Sequence, residues 1–171
     1  METARGKNLG WLRLVTIATL LAAGGFAVAQ TGKAPSAQSP EKEFLQPAEL
    51  NKTTSYTHVV TARGGKLVFI AGQVAYNAQG EIVGKGDLRA QATQVFENLK
   101  TALAAAGGSW NDVVKINWYI VGYKAEMLPV LREVRGKYAS ATNPPASTLV
   151  GVEALANPDF LIEVEAIAVV K

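Results

Sequence analysis

Cysteine is absent from the 171 residues, which excludes disulfides, thiolate metal sites, iron–sulfur clusters and a cysteine nucleophile. Histidine occurs once, as His58, so a multi-histidine zinc site is excluded within one chain. Charge is sparse at 18%, against 49% hydrophobic residues; a core can form, and wholesale disorder is excluded. The net charge is +3, and two of those three excess charges lie in the first 29 residues, where Arg5, Lys7 and Arg13 face only Glu2. The remainder is close to neutral, which is no footprint for nucleic acid. A long apolar run is also lacking. The stretch from Leu14 to Val28 is interrupted by Gly24-Gly25 and falls short of the roughly 20 residues a spanning helix needs.

What is there begins with an address. A basic stretch, an apolar run from Leu14 to about Ala23 and the small residues Ala27-Val28-Ala29 follow in the order of a secretory signal, with Gln30 after the expected cut. Without cysteine, a lipid anchor at the cut is excluded. The expectation is a signal peptide over 1–29, a periplasmic or secreted mature chain, and no stable membrane insertion after cleavage. Residues 30–50 are rich in Pro, Ser, Gln and Lys and read as a flexible tether. The folded domain is then 51–171, one domain by length.

Within it, 56–63 and 66–74 read as strands around Gly64-Gly65, a hairpin signal. Leu88, Ala92, Val95, Leu99 and Leu103 recur at helical spacing after a capping Asp87 and before Gly107-Gly108. Residues 113–121 predict a strand, with Val114, Ile116, Trp118 and Ile120 on one face and Lys115, Asn117 and Tyr119 on the other. Met127, Leu131, Val134 and Tyr138 mark a second helix that tolerates Pro129 in its first turn. Strands at 147–152 and 161–170 close an α+β order of ββαβαββ, with a short extra strand near 81–83. Two helices cover one sheet face. The other face of 113–121 and 161–170 is also apolar, and so argues for an oligomer.

The runs YTHVV (56–60), VFIAGQV (68–74), NLKTALAAAGG (98–108), DVVKINWYIV (112–121), NPPASTLVGV (143–152) and LIEVEAIAV (161–169), in that order and spacing, resemble the Rid (YjgF) family over about 115 residues from Tyr56 to Lys171. Its best-known members are trimeric deaminases of reactive enamines and imines. The resemblance implies a chorismate-mutase-like fold, a homotrimer and small-molecule sites in the clefts between subunits, with no cofactor and no metal. The family's Pro-Ala-Arg-Ser stretch, whose arginine forks onto a substrate carboxylate, is here Pro145-Ala146-Ser147-Thr148. The family glutamate matches Glu163 and the site tyrosine Tyr56. The serine before Gly72-Gln73 becomes Ala71, and an asparagine of the second helix becomes Leu131. The cleft is kept in outline and its anion anchor is lost.

Glu163 is the catalytic candidate, orienting a water or protonating an imine or enamine carbon; alternatively, Glu163 and Glu165 are partners in intersubunit ion pairs. Tyr56, His58, Gly72, Gln73, Ser147 and Thr148 are the ligand-binding candidates. His58 with Ser147 lacks the glycine-framed nucleophile turn of a serine hydrolase, and Gly84-x-Gly86 lacks the context of a dinucleotide loop. Three readings follow: a Rid-type metabolite-binding trimer with weak or no 2-iminopropanoate deaminase activity, an active deaminase or related hydrolase with altered substrate choice, or a structural or chaperone-like trimer. Arg132 or Arg135 of the second helix is the alternative anion anchor.

Overall fold

The structure, a computed structural model, describes residues 39–171. The expected signal peptide and the first part of the tether lie outside the described residues. Strands β1 (Glu41–Leu45), β2 (Val59–Arg63) and β3 (Lys66–Gln73) are followed by α1 (Leu88–Ala105), β4 (Val113–Val121), α2 (Leu128–Gly136), β5 (Ala146–Val152) and β6 (Ile162–Val170). The expected α+β class with two helices holds, with one strand more than the order ββαβαββ.

That strand corrects the tether. Glu41–Leu45 pairs antiparallel with β2, from Glu41 opposite Arg63 to Leu45 opposite Val59. Lys42 and Phe44 are half-buried between exposed neighbours, an alternation hidden by the Pro- and Ser-rich composition around it. Lys42 Nζ also reaches Asp112 Oδ1 at 3.1 Å. The hairpin expectation is corrected too. β2 belongs to this two-stranded sheet, whereas β3 joins a four-stranded sheet in the order β3-β6-β4-β5. Gly64 and Gly65 do turn the chain, with φ of 71° and 74°, but the strands they connect diverge. Tyr56 and His58 precede β2 rather than belonging to it. The extra strand near 81–83 is reduced to a single bridge between Tyr76 and Ile82.

In the larger sheet β6 is antiparallel to both β3 and β4, and β5 lies parallel to β4, joined to it through α2, as a parallel pair requires a crossover. The ladder slips between Val113 and Lys115. The bulge puts Val113 in the core at 2% exposure in place of the expected Val114, in line with Ile116, Trp118 and Ile120. These side chains meet Ile162, Val164 and Ala166 of β6 and the α1 stripe of Ala92, Val95, Phe96, Leu99 and Leu103. Asp87 caps α1 by accepting from the N–H groups of Arg89 and Ala90, and Gly107, at φ 83°, turns the chain out of it. Phe96 stacks on Trp110 at 4.9 Å and meets Trp118 and Tyr138, each at 5.2 Å. This aromatic cluster ties α1 to β4 and to the end of α2.

The other face of the sheet is uncovered among the described residues. Leu67, Phe69 and Val150 are 56%, 73% and 43% exposed.

Candidate functional site

Strand pairing decides where each candidate side chain goes. Ser147 sits opposite Ile116 and Thr148 opposite Asn117. Ser147 therefore points to the helix-covered face and Thr148 to the uncovered one. Trp118 Nε1 donates to Ser147 Oγ at 3.2 Å, and Lys115 Nζ donates to Thr148 Oγ1. The adjacent hydroxyls thus serve different surroundings: Ser147 lines a cavity beside α2, and Thr148 does not.

That cavity, about 480 Å³, lies between α2, β5 and the segment 51–56. Trp118, Tyr123, Leu131 and Leu149 form apolar walls, and Tyr56 and Ser147 add hydroxyls. Lys52, Arg132 and Arg135 bring positive charge, and no carboxylate lines it. The segment is held at its end by one backbone and one side-chain bond: Thr57 N–H donates to Pro145 O at 3.2 Å, and the Thr57 hydroxyl to Pro144 O at 2.5 Å. These bonds explain why Thr57 is buried and why Tyr56 reaches the start of β5. Arg135 Nη1 donates to the Ser55 carbonyl. Burial, followed by the charge of Arg132, lowers the Arg135 pKa from its ordinary value, although a guanidinium stays protonated in any case.

His58 packs edge-on to Tyr56 at 5.2 Å. Its Nε2 lies 2.9 Å from the Asn51 carbonyl, so that nitrogen donates and holds the loop. His58 positions the wall of the cavity and is not part of its lining.

Glu163 and Gly72 meet at another place, while Gln73 lies opposite Val164 and donates its amide to the Ala71 carbonyl at 3.2 Å. Glu163 faces Tyr119 on the uncovered side, and a Cβ added at Gly72 would sit 1.8 Å from Glu163 Oε1. The β3 ladder slips between Ile70 and Gln73, which brings the glycine backbone under the carboxylate. Nearby, Glu165 accepts from Asn117 Nδ2 at 2.7 Å and Tyr119 Oη at 3.1 Å. The bond to Glu165 raises the pKa of the Tyr119 hydroxyl, and burial lowers that of Lys115. Glu165 thus has neutral partners within its own chain.

Ser147 and Glu163 are separated by two strand spacings, by three residues along β4 and by the sheet itself, roughly 10 Å in each in-plane direction. One chain does not bring them together. The structure joins Tyr56 and Ser147, and separately joins Gly72 and Glu163; it does not bring the Gln73 side chain to either group. Arg132, Arg135 and Leu131 all reach the Ser147 cavity. Lys52 was missed, because it stands at the border of the presumed tether with no periodicity around it. Among the described residues, no group of three or more side chains is arranged to hold a metal ion, and no helix is long and apolar enough to cross a membrane.

Residues 46–170 match the family model described as Endoribonuclease L-PSP. A RutC family protein of Pyrococcus horikoshii is 43% identical over 109 residues, covering 62% of this chain and 81% of the relative. The 2-iminobutanoate/2-iminopropanoate deaminase of Dermatophagoides farinae is 29% identical over 133 residues, 78% of this chain and 99% of the relative. Among solved structures, a Rid family protein of Yersinia pestis aligns with a TM-score of 0.72 and 37% identity, covering 75% of this chain and 98% of that one.

Proposed function

This chain belongs to the Rid (YjgF) family, whose model matches residues 46–170, and we propose that it is an exported homotrimer that binds small metabolites in intersubunit clefts and deaminates 2-iminopropanoate weakly or not at all. The observation that carries the reading is Ser147. It stands where the family arginine would fork onto a carboxylate, and its hydroxyl is already engaged by Trp118. Losing a buried bidentate contact costs about 2–5 kcal/mol, roughly 30- to several-thousand-fold in affinity. A small imino acid has little apolar surface, so its carboxylate is the main handle for holding the imine carbon near water.

The trimer reading is supported by the apolar side chains on the uncovered sheet face and by the separation of the two candidate groups. A second copy that brings its Glu163 and Gly72 to the Ser147 cavity would complete one cleft. In that cleft Glu163 orients water or moves the proton. The near-neutral charge outside residues 1–29 favours a small-molecule ligand over nucleic acid.

The test is turnover of freshly generated 2-iminopropanoate. Wild type is expected to be at least tenfold slower than an arginine-bearing relative. Ser147→Arg should raise the rate, and adding Glu163→Ala should remove the gain. Wild-type turnover equal to that of the relative overturns the reading.

A further inference from the structure

Arg132 and Arg135 stand three residues apart on α2 and share one face of the helix. Both line the 480 Å³ cavity. Among the described residues neither has an acidic partner, whereas the glutamate between them, Glu133, is taken by Arg89 and Lys137. Arg135 is half-buried, and its hydrogen bond goes to a neutral acceptor, the Ser55 carbonyl, which uses one of five N–H donors. Arg132 is exposed to water, but the half-buried Arg135 beside it keeps unused N–H donors and feels the like charge of Arg132, both of which an anion would relieve. Lys52 adds a third positive charge to the same rim.

The rest of the chamber constrains the ligand further. Trp118, Tyr123, Leu131 and Leu149 form its walls, and its volume is that of an ordinary ligand cavity, far more than 2-iminopropanoate fills. Position 131 offers a leucine, an apolar wall with no hydrogen-bonding group.

Resting on the reading of Ser147 given above, we propose that the anion anchor has moved from strand β5 to helix α2. The cavity then binds carboxylates carrying an aromatic or branched apolar body. Arg132 and Arg135 hold the carboxylate, and the body lies against Trp118, Leu131 and Leu149. Selectivity comes from the body as much as from the charge, since a short acid leaves the walls wet while a neutral analogue leaves the arginines unpaired.

Calorimetric titration of the full chain tests this directly. The probes are 3-phenylpropanoate, propanoate and the neutral 3-phenylpropanamide. The phenyl acid is expected to bind about tenfold or more tightly than either of the others, and Arg132→Ala and Arg135→Ala should each weaken it by about tenfold or more. Arg135→Lys, which keeps a charge but not the fork, should recover part of the loss. Arg132 is exposed and anchors nothing else, so its variant reports on binding without endangering the fold. Equal affinity for acid and amide, or wild-type affinity in both alanine variants, overturns the proposal. Turnover is not involved. Rapid deamination of 2-iminopropanoate would therefore sink the Ser147 reading while leaving this measurement to stand, and absent phenyl-acid binding would sink this inference alone.

Discussion

Gly72 is the residue at which a single methyl group discriminates between packing and chemistry. Its backbone is in no special conformation, so alanine is conformationally allowed, yet the added Cβ would overlap the Glu163 carboxylate. The colliding atoms are the far end of a flexible side chain, which can swing away. Gly72→Ala is therefore expected to change stability by no more than about 1 kcal/mol, readable as a small shift in thermal midpoint. In a Ser147→Arg background it should nonetheless lower 2-iminopropanoate turnover as strongly as Glu163→Ala does. Retained turnover would show that the placement of Glu163 over the glycine has no part in the reaction. At this scale the sequence was informative about residue types and silent about direction. Ser147 and Thr148 are adjacent letters, and strand alternation alone sends them to opposite faces; which face carries the helices had to come from the fold. His58 was visible as a polar residue near the cleft, but its bond to the Asn51 carbonyl joins a loop that has no periodicity to read.

Elements with a repeating apolar pattern were legible, and those fixed by polar bonds were not. The α1 stripe and its Asp87 cap could be read directly, whereas the buried Gln91 could not. Gln91 donates to Gly84 O at 3.2 Å and Asp159 O at 2.7 Å and accepts from Leu161 N–H at 2.8 Å, so one side chain on α1 holds two loops. β1 escaped notice for a related reason: its partners lie far along the chain, in the ladder to β2 and in the ion pair from Lys42 to Asp112. Burial pushes the Asp112 carboxyl up, but the Ser109 backbone N–H, the Lys42 ammonium and the Ser109 hydroxyl together hold it below its ordinary value of 3.8. A carboxylate with a depressed folded-state value contributes stability above its unfolded value and loses it as pH falls through the folded one. Asp112→Asn is expected to cost about 1 kcal/mol at neutral pH. The difference from wild type should close as the pH drops below about 4. Urea melts at pH 7 and pH 3 check this, and a penalty of equal size at both values would assign the effect to packing rather than charge.

Among the described residues, the four-stranded sheet has one face covered by helices and one face uncovered. Ile116 is 1% exposed beneath the helices, while Phe69 is 73% exposed on the other side. Sequence alone showed both faces of β4 and β6 to be apolar but not which was which. The structure separates substitutions on the two faces. Ile116→Lys places a charge in the core and should leave little folded protein. Phe69→Asp removes about 2 kcal/mol of potential apolar burial per copy and adds a charge to the contact, so it should yield a folded monomer. Light scattering on wild type is expected to give three times the chain mass, falling to one in Phe69→Asp with the circular dichroism spectrum unchanged. A wild-type monomer at micromolar concentration would contradict the trimer. Assembly also bears on chemistry, because Ser147 and Glu163 occupy opposite faces of the sheet in one chain. If clefts form only where one copy's Glu163 meets another's cavity, then Phe69→Asp in a Ser147→Arg background should abolish the gained deaminase activity, although every chain retains both residues. A monomeric double variant that keeps the activity would mean that a single chain suffices, and the opposite-face geometry would then not describe the working site.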